Sequence, residues 1–232
     1  MSDYQWPGDI IPNEGEFYLQ PNGVHNVSPL NGATQSIARG GTRWVCSLGL
    51  RNLARAKAQR VSAFAAQVGH ANRVWLHDHS RATPLGALGG DPLTSTTASI
   101  GATSVAIDGC SNSITDWAKA GDLVQLLNPV AGTSQLVELT DDVDSDGSGT
   151  ATLYFTPALR IAIENNAYVV FTTAGDTLLT EAGDDLVTEN GDYIGTGGLA
   201  QAKFVLQPGV ARQTGPGAIH SDMTLSLVED IT

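Results

Sequence analysis

TRWVCSLGLRNLARAKAQRVSAFAAQVGHANRVWLHD, Thr42 to Asp78, changes its apolar period twice, and those two changes decide how the chain folds. From Thr42 to Leu50, Trp44, Cys46, Leu48 and Leu50 fall on one side and Arg43, Val45, Ser47 and Gly49 on the other, the period of a strand with one buried face. Beyond Asn52 the spacing becomes helical: Ala54, Ala58, Val61, Ala65 and Val68 recur along one stripe, joined by Phe64. Asn52 is the expected N-cap and Gly69 the stop, with alanines favouring the helix between them. The expected helix has about 17 residues and a length of roughly 25 Å. ANRVWLHD then returns to the strand period, with Val74 and Leu76 facing away from Arg73, Trp75 and His77.

Upstream, residues 1–36 are broken by Pro7, Gly8, Pro12, Gly15, Pro21, Gly23, Pro29 and Gly32, which allow only short strands and turns. Downstream, PLGALGGDP (Pro84–Pro92) reads as a domain boundary. After it come ATSVAID, DLVQLL, QLVELT, TATLYF and NAYVVFT, short alternating runs separated by turn signals. They predict a small closed barrel of five strands from Thr94 to Thr173. LLTEAGD (Leu178–Asp184) and LVTENGD (Leu186–Asp192) repeat each other and predict an acidic hairpin or paired turn. The last run alternates Met223, Leu225, Leu227 and Glu229 and needs a partner edge, which the N-terminal sheet supplies. The expected fold is therefore mainly β: a discontinuous β-sandwich or split-barrel domain with one helix, into which a small OB-like β-barrel is inserted. Its parts are residues 1–90, the inserted barrel at 91–174, and 175–232 completing the first domain.

Charge restricts the partners. Lys and Arg total 12 against 24 Asp and Glu, a net charge of -12, which repels nucleic acid and gives no attraction to an anionic membrane. The charges are segregated. Eight basic residues lie between Arg39 and Arg81 beside a single acid, Asp78, and half of the acids lie between Glu138 and Asp192. One basic end and one acidic end suit head-to-tail contact between neighbours. MSDYQWPGDI has no apolar core of a signal peptide and no apolar run has the length of a membrane span, so synthesis in a reducing cytoplasm is expected. Cys46 and Cys110 accordingly read as buried thiols.

Several motifs carry candidate chemistry. DDVDSDGSGT (Asp141–Thr150) places Asp142, Asp144, Asp146, Gly147, Ser148 and Thr150 where a calcium loop wants them, yet its twelfth position is Leu153 and strands flank it. It reads as a hairpin tip standing in solvent without calcium. His77 and His79 share one side of a strand and would need a third ligand from His25, His70 or His220 to hold a transition metal; a polar strand end is the plainer reading. Glu181/Asp184 and Glu189/Asp192 lack the fixed gap of glycosidic chemistry. Gly195-Thr196-Gly197-Gly198 lacks the helix a dinucleotide fingerprint needs. No enzyme activity, cofactor or metal is expected. Trp6, Trp75 and Trp117 leave a carbohydrate-binding module as the alternative.

The strand-helix-strand unit, together with PLNGATQSIARGG before it, resembles the distal tail and minor tail proteins of long-tailed, siphovirus-like bacteriophages. AGDLVQLLN and DDVDSDGSGTATLYFTPALR resemble the barrel inserted in many of those proteins. The similar parts lie between Pro29 and Arg160. The resemblance implies a structural virion protein, commonly a hexameric ring, at the tip of the tail, made in the host cytoplasm. Its implied partners are further copies of itself, the tail tube protein, the hub or tip proteins and fibre or side-spike proteins, with DNA only in transit through the lumen and no membrane. Unlike the longest members of that family, this sequence is not expected to supply a large C-terminal carbohydrate-binding domain, which weakens direct receptor adhesion. Arg51, Arg55, Arg60, Arg73, Asp184 and Asp185 are the residues expected at the interface between copies.

Overall fold

The computed structural model describes residues 2–38, 41–69, 71–81, 83–171, 200–207, 211–213 and 220–230. In chain order its elements are β1 (Asp3–Gln5), β2 (Glu14–Gln20), β3 (Gly23–Val27), β4 (Thr34–Ala38), β5 (Arg43–Ala54), α1 (Arg55–Val68), β6 (Arg73–Leu76), β7 (Gly90–Thr94) and β8 (Ser104–Cys110). They continue with β9 (Leu123–Leu127), β10 (Ser134–Leu139), β11 (Ala151–Thr156), β12 (Tyr168–Phe171), β13 (Ala202–Leu206), β14 (Ala211–Gln213) and β15 (His220–Glu229). The protein is mainly β, with a split-barrel sheet, one helix among the described residues and an inserted OB-like barrel. Two compact units emerge: Met1–His79 with Lys203–Thr232, and Ser80–Ala202.

In the first unit the sheet runs β1-β6-β13-β15-β5-β2, with β14 also paired to β15. The long C-terminal strand sits beside β5, and the two alternating patterns meet in register: Leu227 opposite Cys46, Leu225 opposite Leu48, Met223 opposite Leu50. All six side chains are buried, so each residue on one strand covers its partner and the pair forms the apolar floor of the unit. Glu229 continues the inward row and its carboxylate accepts the Trp44 N–H at 2.9 Å. Helix α1 packs against β5 and β15 through Ala58, Val61, Ala65 and Val68. Phe64 meets the edge of Trp6, ring centroids 5.7 Å apart.

The helix begins later than the Asn52 cap would place it. Strand β5 continues to Ala54 and α1 has 14 residues, with no side chain capping its N-terminus. Pairing with β15 explains the difference. Ser221 faces Leu53 and Met223 faces Leu50, so Arg51 and Asn52 share the single partner Asp222. That is a β-bulge, and Asn52 takes the left-handed φ of 57° that asparagine tolerates. Its N–H is donated to Asp222 Oδ1 at 2.7 Å. The residue that reads as a cap therefore serves the sheet.

Strands β3 and β4 form a separate two-stranded sheet. Its connection, Ser28–Ala33, closes with the Ser28 N–H on Ala33 O at 2.8 Å and the Gly32 N–H on Ser28 O at 3.0 Å. The same turn recurs in the second unit between β9 and β10: the Asn128 N–H binds Thr133 O at 2.9 Å and the Gly132 N–H binds Asn128 O at 2.9 Å. SPLNGATQ and NPVAGTSQ share its requirements. Proline follows the first residue, and Gly32 and Gly132 have φ of 68° and 63°, where a side chain is strained.

The second unit is a closed barrel, β10-β11-β8-β7-β12-β9, of six strands rather than five. The additional strand is β7, hidden in the sequence because Gly90-Asp91-Pro92 looks like turn. The segment that reads as a linker also belongs to this unit. Trp117 donates its indole N–H to Gly89 O at 3.0 Å, and Asp122 accepts the N–H groups of Leu85 and Gly86. A Cβ at Gly86 would lie 2.5 Å from Ala118 Cα, so glycine permits close approach there. The composition break at 90/91 consequently falls inside β7, while the units part at 79/80 and 202/203.

Candidate assembly interface

The arginines expected at an interface are placed unequally. Arg51 pairs with Glu14 at 2.7 Å and Arg60 with Asp9 at 2.9 Å, both exposed. Arg73 is drawn inward: its Nε lies 3.0 Å from Asp230 and 3.7 Å from Asp3, and Lys203 Nζ lies 2.8 Å from the same Asp3. That network ties β1 and β6 to β13 and the end of β15, a task within the unit. Arg55, in the first turn of α1, is exposed and has no ion-pair partner among the described residues. Asp184 and Asp185, the acidic repeat, the Glu181/Asp184 and Glu189/Asp192 pairs and the glycine run at 195–198 lie outside the described residues.

An apolar surface that charge patterning does not reveal lies on the β3–β4 hairpin. Val24 pairs opposite Ile37, and both are exposed together with Val27 and Leu30, the last at 96%. Between Phe17 and Ala38 there is no Asp, Glu, Lys or Arg. Strand β2 next to it has β5 as its partner on one side and closes one margin of the sheet. Its mark in the sequence is that long charge-free interval.

The aspartate loop does not stand free in solvent as its composition suggests. Val143 forms a two-way bridge with Ala118, and Ser145 receives and gives bonds at Ile114 and Ser111. Val143 and Ser145 are buried and the three aspartates between and around them point outward, so DVDSD is an alternating run laid against the 111–120 segment. The carboxylates already serve protein donors. Asp142 accepts the Ala120 N–H at 3.0 Å and Asp144 that of Asp116 at 2.7 Å. Asp146 accepts the N–H groups of Ser148 and Thr150 at 2.8 and 2.9 Å and their hydroxyls at 2.8 and 2.6 Å. The Thr150 and Ser148 hydrogen bonds hold the Asp146 carboxyl well below the usual carboxylate range. Among the described residues no three His, Cys, Asp or Glu are grouped to hold a metal ion.

His77 and His79 do meet, with ring centroids 4.1 Å apart, and His79 Nε2 is buried with no hydrogen-bond partner among the described residues. The side chains of His25, His70 and His220 lie outside what is described. Burial lowers His77, opposed by Asp78. It pushes His79 down to about 4, with His77 acting in the same direction and Asp78 against it. The thiols are buried and held protonated: burial and then Asp78 push Cys46 up to about 12, and burial is the main cause of Cys110 reaching about 11. Neither is a nucleophile near neutral pH.

Aromatic faces are mostly covered. Trp6, Trp44 and Trp117 are buried, and Trp75 lies under the Lys203 ammonium at 4.7 Å. Tyr18, Tyr154 and Tyr168 are the exposed aromatics among the large hydrophobic residues described. No helix among the described residues is long and apolar enough to cross a membrane. In comparison with known proteins, the chain matches no family model and no curated protein.

Proposed function

We propose that this chain is a structural virion protein that closes into a hexameric ring at the distal end of a long phage tail, where it joins the tail tube to the hub and tip proteins. The observation that carries the reading is the β3–β4 hairpin, a two-stranded sheet of its own with Val24, Val27, Leu30 and Ile37 exposed. A two-stranded hairpin by itself is marginal in water. A charge-free one bearing exposed aliphatics is made for burial against a partner. In a chain of net charge -12, such a neutral arm is also the surface on which acidic copies meet with least repulsion. Arg55, exposed and without an ion-pair partner among the described residues, adds a cation that a neighbour's acidic region can accept. The alternative, a carbohydrate-binding or receptor-adhesion module of the tail tip, rests on the exposed Tyr154 and Tyr168 of the barrel.

Electron microscopy of tailed particles carrying this protein tests the proposal. Ring density at the tube-to-hub junction is the expected result, and Arg55→Glu should lower assembly yield while the subunit stays folded. Density confined to peripheral fibres would instead favour adhesion.

A further inference from the structure

We propose that His77 and His79 form an acid-sensitive latch: with both imidazoles neutral they hold the N-terminal segment, residues 2–10, on β6 and α1, and protonation of the pair releases it. The device lies within the first unit and is independent of the ring reading.

The segment is attached at few points. Strand β1 is three residues long, stands at the margin of the sheet and pairs with β6 in parallel, Asp3 opposite Arg73 and Gln5 opposite Trp75. The Trp6 N–H reaches Trp75 O at 3.3 Å, and the Ser2 N–H reaches Asn72 Oδ1 at 3.0 Å. Asp9 is fastened to the helix, its carboxylate 2.9 Å from Arg60 and its carbonyl accepting from Lys57 at 2.9 Å. The apolar hold comes from Trp6 and Ile10, both buried and joined by the indole N–H on Ile10 O at 2.7 Å. The Trp6 ring lies edge-on to Phe64 of α1, 5.7 Å between centroids, and edge-on to His79 at 6.5 Å. So short a parallel strand keeps its place through these side-chain contacts more than through its ladder.

His79 is the member of this contact that changes its charge. Strand β6 ends at Leu76, and His77 and His79, just beyond it, bring their rings to 4.1 Å between centroids. His79 Nε2 is enclosed and has no hydrogen-bond partner among the described residues. With the proton on Nδ1 the neutral ring leaves there only an idle acceptor. A second proton makes that nitrogen a buried donor without an acceptor, and a proton on each ring sets two cations side by side. The charges that reach the rings are each other's and that of Asp78, itself buried, which favours protonation and is outweighed by burial. Trp6 brings no charge from the segment and Phe64 none from α1, while on β5 the Cys46 thiol that feels Asp78 stays protonated. Lys57 and Arg60 of the helix are engaged at Asp9.

Lifting Trp6 away opens His79 to water, where a protonated ring is hydrated, so proton uptake and departure of the segment are linked. What departure uncovers is the β6 edge, whose backbone groups lose β1 as partner, together with the Phe64 ring. A bare strand edge is a template for an added strand. Acid thereby changes the surface that the first unit offers while β5 and β15 stay paired.

Hydrogen exchange of the full-length protein, read by mass spectrometry at pH 7 and pH 4.5 and corrected for the intrinsic pH dependence of exchange, tests the latch. An imidazole that titrates near 6.5 when released and about 4 when held favours the released form on the order of 50-fold across that interval, and protection of residues 2–10 should fall accordingly. Peptides from β5 and β10 should keep theirs. His79→Phe removes the titrating ring against Trp6 and should abolish most of the fall; His77→Gln removes the second cation, should reduce the fall, and decides the matter where His79→Phe folds poorly. Unchanged protection of residues 2–10 at pH 4.5 would overturn the latch. So would an undiminished fall in both variants, which would assign release to the carboxylates of Asp3 and Asp9. Simultaneous loss of protection in β5 and β10 would overturn it as well, because the chain would then be unfolding as a whole.

Discussion

Asp122 is buried with both oxygens engaged: Oδ1 accepts the Leu85 N–H at 2.7 Å, and Oδ2 accepts those of Gly86 at 3.2 Å and Lys119 at 2.9 Å. Replacing it by alanine strands three donors at once, so Asp122→Ala should destabilise the barrel by roughly 3 kcal/mol in urea unfolding. A change under about 0.5 kcal/mol would mean that the 83–89 segment is not anchored there. His79 sets a pH dependence of definite sign. An unfolded chain protonates this imidazole near 6.5, whereas the folded chain waits until about 4, so the unfolded state gains protons first and stability falls as pH drops across that window. His77 shifts in the same direction, and the two titrate as a pair. Thermal melts of His79→Phe should lose part of that slope between pH 6.5 and 4; an unaltered slope would refute the assignment. Neither role was legible in the sequence. Asp122 reads as the end of a turn signal before DLVQLL, and nothing local shows its carboxylate reaching back to Leu85, 37 residues earlier.

At the scale of elements, periodicity was legible where a face is buried and misleading where backbone pairing decides. Alternation in β5 and β15 identified the inward residues because one side of each strand is core. The boundary between β5 and α1 was misplaced because the partner strand extends pairing through a bulge, and a bulge leaves no hydrophobic period. Strand β7 was missed for the converse reason: Gly90 and Pro92 carry turn chemistry, yet Gly90 lies opposite Cys110 and close to Gly109, where a Cβ would strike the Gly109 carbonyl. The aspartate loop yields a prediction at this scale. Its carboxylates are already engaged by protein donors, so millimolar calcium should leave the melting temperature unchanged, as should a chelator. A rise of several degrees with calcium would show that the ion outcompetes those bonds. Because Asp146 is held below its ordinary carboxylate range, its contribution is present above that range and disappears as pH falls through the lowered value. Asp146→Ala should therefore weaken the loop at pH 7 and make no difference in strong acid.

For the whole molecule, the terminal alternation was enough to show that the first domain is completed by the end of the chain, whereas the place where the units part was hidden by glycines used for packing. The apolar core of the barrel is drawn from Ala98 to Phe171, within one continuous stretch. Expressed alone, Ser80–Ala202 should melt in a single cooperative transition, and Met1–His79 alone should not fold, since it lacks β13 and β15. Denatured 80–202 beside a folded full chain would disprove the independence of the barrel. The placement of β15 between β13 and β5 also sets a timetable during synthesis. Asn52 and Asp222, joined across the bulge, are 170 residues apart, so a ribosome adding about 5–20 residues per second leaves β5 waiting roughly 10–30 s for its neighbour. Throughout that wait the barrel can fold while the inward row of Trp44, Cys46, Leu48 and Leu50 stays uncovered. Yield in a host should consequently follow translation speed and chaperone supply more closely than the melting temperature of the finished protein.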